Sequence, residues 1–263
     1  MLSILEYQAL AFRRHWRSTI IASAVAPLLY LLALGLGIGA LVDRGVGPAT
    51  IGTTYLAFLA PALLAVAGMQ IAAGEAMFPV LGGFKWTRAF FAMHGAPLTP
   101  GQISSALIIW LWFRVAASSL VFLLLTACFG AFKTPLALLV VPIAAYGAVA
   151  FAAPIVAFSA SQEEGAGSFS VITRFGIAPM ILFSGTFYDI SRLPRWAGVL
   201  AWISPLWHVT ELCRAVALGP LGLSSGLGAM TWSRALVHIG YLTLWLVVGV
   251  LLARWTFRVR LTR

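Results

Sequence analysis

The sequence predicts an all-α integral membrane protein with six transmembrane helices. Only 9% of the 263 residues are charged and 61% are hydrophobic, whereas about a quarter of the residues in a soluble domain are charged. The apolar residues also form six long stretches, and a helix needs about 20 apolar residues to cross a bilayer. This composition excludes a soluble globular enzyme, a disordered chain and a nucleic-acid-binding module.

The six predicted spans cover residues 19–42, 53–73, 103–129, 135–159, 172–188 and 235–257. We expect the first span to be retained as an anchor, because it is too long for the apolar core of a signal peptide. Lys and Arg favour the cytoplasmic side of a membrane protein. At the span ends and in the loops, ten of these residues lie on the side of both termini and six on the other. Both termini are therefore predicted to be cytoplasmic.

The spacing of apolar residues in 1–18 predicts an amphipathic helix that lies in the membrane interface. Apolar side chains recur there in steps of three and four, at Leu2, Leu5, Ala9, Phe12 and Trp16. The arginines fall elsewhere on the helix, where they can face lipid headgroups. We therefore separate this segment from a membrane domain over residues 19–263. The alternative is that the arginines only form the positively charged cytoplasmic flank of the first span, which requires no interfacial helix.

The long loop before the last span predicts a helical hairpin over residues 189–220. Trp196, Leu200, Ile203 and Trp207 recur at helical steps of four, three and four. Pro205 interrupts this pattern, and a second apolar stretch follows over residues 206–218. Two short apolar helices outside the spans fit a re-entrant hairpin, whose backbone is tolerated only against protein or a cavity.

No pattern for catalysis, nucleotide binding or metal binding is present. No lysine follows a glycine, so the sequence lacks a phosphate-binding loop, and it contains no His-Glu-x-x-His motif. Gly35, Gly37 and Gly39 lie within a span, where close helix packing explains them better than a dinucleotide site. His208 and Glu211 have a spacing that metals use, but a third ligand is missing. We therefore predict no catalytic, cofactor or metal site on this chain.

Two charged residues fall close to each other in the predicted spans. Arg114 lies in the third span and Glu75 follows the second, and an ion inside a membrane needs a partner. We expect Glu75 and Arg114 to form an intramembrane pair, either as a structural tie or as part of a gate. The sequence lacks the chain of acidic groups that an ion-coupled carrier needs. Energy for transport must come from elsewhere, or transport is passive.

Five segments of the sequence form a recognisable set: Ser-Gly-Thr-Phe-Tyr at 184–188, Leu-Pro-Arg-Trp at 193–196, Ser-Pro-Leu-Trp-His at 204–208, Glu-Leu-Cys-Arg at 211–214 and the aromatic-rich run at 84–93. Together they resemble the permeases of ABC-2 type exporters, especially the branch of nodulation-factor (lipo-oligosaccharide) exporters and daunorubicin-type drug-efflux permeases. Ser204 departs from the pattern, since family members often carry Asn before this proline. The layout is also similar, so the resemblance covers nearly the whole chain and implies the ABC-2 (type V exporter) fold.

The resemblance implies a bacterial plasma-membrane complex of two permeases with two copies of a separate ATPase that binds ATP and Mg²⁺. The second permease is either an identical chain or a paralogue. In the family, a cytoplasmic coupling helix docks into a groove of the ATPase. Here it falls at about 85–94, with an apolar edge and polar flanks formed by Lys85, Trp86, Arg88, Phe90 and Met93. A helix lying on the membrane is the alternative.

His208, Glu211 and Arg214 follow one another in steps of three and are predicted to share one helical face of the outer hairpin. Polar groups in a re-entrant segment are expected to contact one another or a water-filled path, because contact with lipid is costly. We expect them to form an outer gate of a translocation pathway, with Glu211 and Arg214 helping to close it. The alternative is a structural ion pair that pins the hairpin.

The predicted function is therefore the membrane permease of an ATP-driven exporter. Its substrate is expected to be an amphiphile such as a lipo-oligosaccharide, a glycolipid or a hydrophobic drug, taken from the cytoplasm or the inner leaflet. The expected partners are the ATPase, a second permease, the substrate and membrane lipids, with no nucleic acid. A passive channel or carrier and an integral-membrane assembly scaffold are the alternatives.

Overall fold

The computed structural model describes residues 1–45, 53–132, 134–163, 167–190, 194–218 and 230–262. In chain order its α-helices are α1 (Leu2–Tyr30), α2 (Gly39–Arg44), α3 (Tyr55–Lys85), α4 (Ala89–Gly95), α5 (Pro100–Ala127), α6 (Val140–Ser161), α7 (Gly167–Val171), α8 (Ala178–Phe183), α9 (Arg195–Ile203), α10 (Pro205–Leu218) and α11 (Trp232–Leu261). π-Helical segments over Leu31–Ile38 and Ile172–Ile177 join α1 to α2 and α7 to α8, and a 3₁₀ turn over Pro135–Leu139 leads into α6. No β-strand occurs within these ranges.

Five helical stretches in the described ranges are long and apolar enough to cross a membrane: Pro27–Arg44, Tyr55–Lys85, Pro100–Ala127, Pro135–Ser161 and Trp232–Leu261. They fall on the first four predicted spans and on the last. The fifth predicted span, 172–188, differs, because its helical stretch runs from Gly167 to Phe183. These 17 residues are about 25 Å long, which is shorter than the roughly 30 Å hydrocarbon core.

The N-terminal boundary also differs from the predicted one. Helix α1 runs without interruption through residue 18, because no glycine or proline occurs before Pro27. The Phe12 ring packs edge-on against Trp110 of α5, with 5.9 Å between the ring centroids. The predicted interfacial segment and the start of the first span are therefore one helix, which lies partly against α5.

Helices α3 and α6 form the centre of the bundle, and α5, α10 and α11 pack around them. Glycines permit several of the closest approaches, as is common between membrane helices. A Cβ atom at Gly249 would lie 2.5 Å from Cδ of Pro154, and one at Gly147 would lie 2.0 Å from Cγ2 of Val209. A Cβ atom at Gly35 would lie 2.6 Å from Leu56. This contact agrees with the helix-packing role expected from the glycine spacing.

Two helices occur where the outer hairpin is predicted, and Ser204, in an extended conformation, separates α9 from α10. Trp196 and Trp202 of α9 are more than half exposed. Most of α10, in contrast, is buried against α3 and α6. Residues 191–193 and 219–220 of the predicted hairpin lie outside the described residues.

Candidate functional site

The predicted coupling helix at 85–94 consists of two elements. Lys85 is the last residue of α3, and Trp86 caps that helix. Arg88 then adopts a left-handed conformation, with φ of 52°, immediately before α4 begins at Ala89. A residue with a side chain rarely adopts this conformation, so the backbone turns sharply between the two helices. The helix that contains Phe90 and Met93 is therefore short and separate from Lys85 and Trp86.

Phe90 does not lie on an exposed apolar edge, so this part of the prediction is wrong. Only 5% of Phe90 is exposed, and its ring packs 4.8 Å from the ring of Phe84 and 5.2 Å from that of Phe257. It also lies directly over Gly83, where a Cβ atom would come within 2.2 Å of the ring. Met93 is partly buried against the core. The apolar side of α4 faces the bundle because that is where its large rings find partners.

The large or charged side chains exposed at this end are those of Lys85, Trp86, Arg88 and Phe91. Trp86 is 65% exposed and Phe91 is 42% exposed. Sequence reasoning missed Phe91, because the chosen helical phase started at Trp86, which precedes the helix. These four side chains provide two large rings and two cations for a contact outside the chain.

Phe84, Phe90 and Phe257 form an aromatic cluster at the same end of the protein. The guanidinium of Arg260 lies 4.3 Å from the centroid of Phe84, and its Nη1 donates a hydrogen bond to the carbonyl of Ala160 at 2.8 Å. The cluster thereby connects α4 to α3 and α11, and Arg260 extends the connection to α6. The ends of these three long helices are therefore in contact with α4 or with one another through this cluster.

Glu75 and Arg114 form the predicted pair between α3 and α5. Oε1 of Glu75 lies 2.8 Å from Nη2 of Arg114. The Phe12 ring of α1 lies 5.2 Å from the same guanidinium. The pair therefore ties three helices together, beside a cavity of about 420 Å³ that Glu75 lines. Its gating role stays a prediction.

Arg214 is buried in a shell of backbone oxygens. Its Nη2 donates hydrogen bonds to the carbonyls of Gly185 at 2.8 Å and Thr186 at 3.0 Å, and its Nε donates to the carbonyl of Phe58 at 3.3 Å. Nη1 lies 3.6 Å from Oε1 of Glu211. Only 3% of Arg214 is exposed, and an arginine side chain stays cationic at neutral pH.

His208 faces another neighbour. Its Nε2 lies 2.9 Å from the carbonyl of Trp202, and its Nδ1 lies 2.8 Å from Nδ1 of His238 on α11. Because a carbonyl only accepts hydrogen bonds, Nε2 of His208 carries a proton, and Nδ1 of the neutral ring accepts one from His238. The ring also stacks on Tyr241 at 4.1 Å.

The structure separates the three predicted gate residues. Steps of three turn a helix by 300°, so His208 and Arg214 lie about 120° apart around α10. His208 contacts α11, whereas Glu211 and Arg214 form a pair whose arginine also binds α3 and the segment after α8. At most 5% of each residue is exposed. These contacts favour the alternative of a structural pin.

An apolar pocket of about 380 Å³ lies between α1, α3 and α8, and sequence reasoning missed it. Leu63 and Val66 of α3, Ile181 of α8 and Phe187 supply much of its wall, and Gln70 adds an amide. Its walls come from distant parts of the chain, so no periodicity within one segment could reveal it.

The sequence matches one protein family and several bacterial proteins along most of its length. The family described as ABC-2 type transporter matches residues 1–218. The chain is 26% identical to Nodulation protein J of Rhizobium leguminosarum bv. viciae, over 100% of this chain and 95% of that protein. It is 27% identical to Nodulation protein J of Rhizobium leguminosarum bv. trifolii, over 94% and 90% of the two chains, and 26% identical to that of Rhizobium meliloti, over 96% and 90%. These matches confirm the resemblance inferred from the sequence segments.

Proposed function

Because the chain belongs to the ABC-2 type transporter family, we propose that it is the membrane permease of an exporter powered by a separate ATPase. The sequence supports the separate subunit, because it contains no phosphate-binding loop of its own. We further propose a complex of two permeases with two ATPases in a bacterial plasma membrane, with both termini cytoplasmic.

An amphiphile is the substrate class that the apolar pocket favours. Pockets for such molecules are mostly apolar, with a few polar groups that orient the ligand. The pocket between α1, α3 and α8 has this character, with Tyr30 and Gln70 among apolar walls. This pocket is the observation that carries the proposed substrate class. The similarity to proteins named Nodulation protein J supports a lipo-oligosaccharide or another lipid-linked sugar.

The cytoplasmic end of the bundle suits a contact with the ATPase. Large exposed rings often dominate an interface, and Trp86 and Phe91 protrude here between Lys85 and Arg88. The buried cluster of Phe84, Phe90 and Phe257 lies directly behind them. A closing ATPase would push α4, and this cluster would pass the displacement to α3 and α11.

We also propose that α9 and α10 form the outer hairpin that re-enters the membrane. The burial of α10 against α3 and α6 supports this arrangement, since re-entrant backbone must be covered by protein. The exposed Trp196 and Trp202 of α9 are the side chains that membrane interfaces favour.

The proposal is tested by reconstituting the chain with a candidate ATPase and measuring ATP-dependent movement of a fluorescent glycolipid in proteoliposomes. Trp86→Ala should reduce both ATPase co-purification and coupled transport at least tenfold, because a buried aromatic anchor typically contributes about 2 kcal/mol or more to an interface. Trp232→Ala is the matched control, since Trp232 is 88% exposed on another part of the chain. Transport at equal rates with and without ATP would instead indicate a passive carrier.

A further inference from the structure

A second apolar cavity of about 440 Å³ lies on a different side of the bundle, between α5, α6 and α11. Ile109 and Trp112 of α5, Val149 of α6, and Leu246 and Val250 of α11 form most of its wall. These helices are three of the membrane-spanning stretches. The cavity shares no lining residue with the pocket between α1, α3 and α8, so the two are separate sites.

One end of this groove carries a positive charge. Arg254 lines it together with Ser105, and Nε of Arg254 donates a hydrogen bond to the Ser105 hydroxyl at 3.0 Å. The methylene stem of Arg254 rests against Gly101, where a Cβ atom would lie 3.8 Å from Cγ of the arginine. Within the described ranges, no carboxylate forms an ion pair with Arg254. The guanidinium is thus held in place and still exposed.

The groove and its charge are arranged along one row of α11. Leu246, Val250 and Arg254 follow each other at steps of four, and Arg258 continues the same row and is also exposed. From Arg254 to Leu246 the helix rises about 12 Å, and from Ser105 to Phe113 on α5 it rises by the same amount. The apolar part therefore extends about 12 Å from the charged end towards the middle of the membrane.

The charged end lies near the ends of both helices, so the long side chain of Arg254 can reach the level of lipid headgroups. Ser105 is about 8 Å from the start of α5 at Pro100, and Arg254 is about 10 Å from the end of α11 at Leu261. In the proposed orientation both ends are cytoplasmic. A ligand that fits this site has one anionic group attached to a linear apolar chain, and it reaches the site from within the membrane. Basic pockets between transmembrane helices on the cytoplasmic side bind anionic headgroups.

We propose that this groove binds an anionic phospholipid of the cytoplasmic leaflet. One acyl chain lies along Ile109, Trp112 and Val250, and the phosphate accepts hydrogen bonds from the exposed Nη groups of Arg254. The lipid would fill the cleft between α5 and α11 and so stabilise their packing.

The test uses the full chain in phosphatidylcholine vesicles that contain a minor fraction of phosphatidylglycerol. Two preparations have the same composition, and bromine is placed on the acyl chains of phosphatidylglycerol in one and on an equal amount of phosphatidylcholine in the other. Bromine quenches nearby tryptophans. The contribution of Trp112 is the difference between the parent protein and Trp112→Phe.

We expect Trp112 to be quenched more strongly by the anionic lipid, with a relative association constant about fivefold higher, as one arginine near an anionic headgroup provides. Arg254→Lys should keep the preference and Arg254→Gln should abolish it. Arg174→Gln, which removes an exposed arginine from another helix, should leave it unchanged. Raising the salt concentration should weaken the preference of the parent protein.

Equal quenching by the two lipids in the parent protein would overturn the proposal without any variant being needed. A preference that survives in Arg254→Gln would also overturn it, since the charge would then act elsewhere. Weak quenching of Trp112 by both lipids would overturn the proposal as well, because another protein segment would then cover the groove. None of these outcomes depends on the identity of the exporter's substrate or on the ATPase.

Discussion

Replacing Arg214 tests whether the buried polar residues of α10 act as a structural pin. Arg214→Gln removes the cation that bridges α10, the carbonyl of Phe58 on α3, and the carbonyls of Gly185 and Thr186 after α8. It also leaves Glu211 without its arginine. Breaking a buried ion pair by removing one partner costs about 3–5 kcal/mol. We expect a loss of this size, because only 3% of Arg214 is exposed.

Glu211→Gln should cost less than Arg214→Gln. The arginine keeps its three carbonyl acceptors in this variant, and the amide of Gln can still accept one hydrogen bond, so a loss of about 1–2 kcal/mol is expected. Arg44→Gln is the control, since Arg44 is an exposed arginine. The free energy of unfolding is measured in detergent by denaturant titration, and folded yield by size-exclusion chromatography. Normal stability of Arg214→Gln with altered export would refute the pin and restore the predicted gate.

Three further outcomes follow from particular residues. Phe90→Ala should lower the free energy of unfolding by about 3–5 kcal/mol, because its ring fills the space between Phe84 and Phe257. Full stability of this variant together with lost ATPase binding would mean that the ring is a docking anchor. Gly249→Ala should lower the free energy of unfolding by about 1–3 kcal/mol, because the new Cβ would lie 2.5 Å from Pro154. Gly240→Ala is the control, since its Cβ would meet nothing within 4 Å. Equal melting temperatures of the two variants would contradict the close packing at Gly249. A single cysteine at position 85 should react with impermeant reagents only from the cytoplasmic side, and one at position 44 only from outside; reaction of position 85 in intact cells would reject the proposed orientation.

The sequence was sufficient to locate the long helices because each of them contains a long apolar stretch. Each of the five membrane-spanning stretches in the described ranges overlaps a predicted span, and threonine caps fix the starts of three of them. Thr54, Thr99 and Thr231 each accept a hydrogen bond from the first turn of the helix that follows. The pairing of Glu75 with Arg114 was also predictable, since two opposite charges in adjacent spans have few other partners.

The direction in which a side chain points was less predictable. The steps between Trp86, Phe90 and Met93 indicate one helical face only if the three residues share a helix, and the left-handed turn at Arg88 separates the first from the others. Likewise the spacing of His208, Glu211 and Arg214 shows neighbours along α10 but does not show that His238 and three carbonyls lie around them. Such partners come from distant segments, whose positions depend on the packing of the whole bundle.

The short helix before the hairpin and the buried Arg214 form one structural unit. Backbone carbonyls that are buried after the end of a helix need donors, because each unsatisfied one is costly. Such carbonyls follow the helical stretch Gly167–Phe183: Gly185, with φ of 68°, turns the chain, and its own carbonyl and that of Thr186 accept hydrogen bonds from Arg214. The guanidinium supplies the donors that water would supply at the protein surface. The glycine at 185 and the arginine at 214 are therefore mutually dependent: changing Gly185 to a residue that resists a left-handed turn should destabilise the same contacts as removing Arg214.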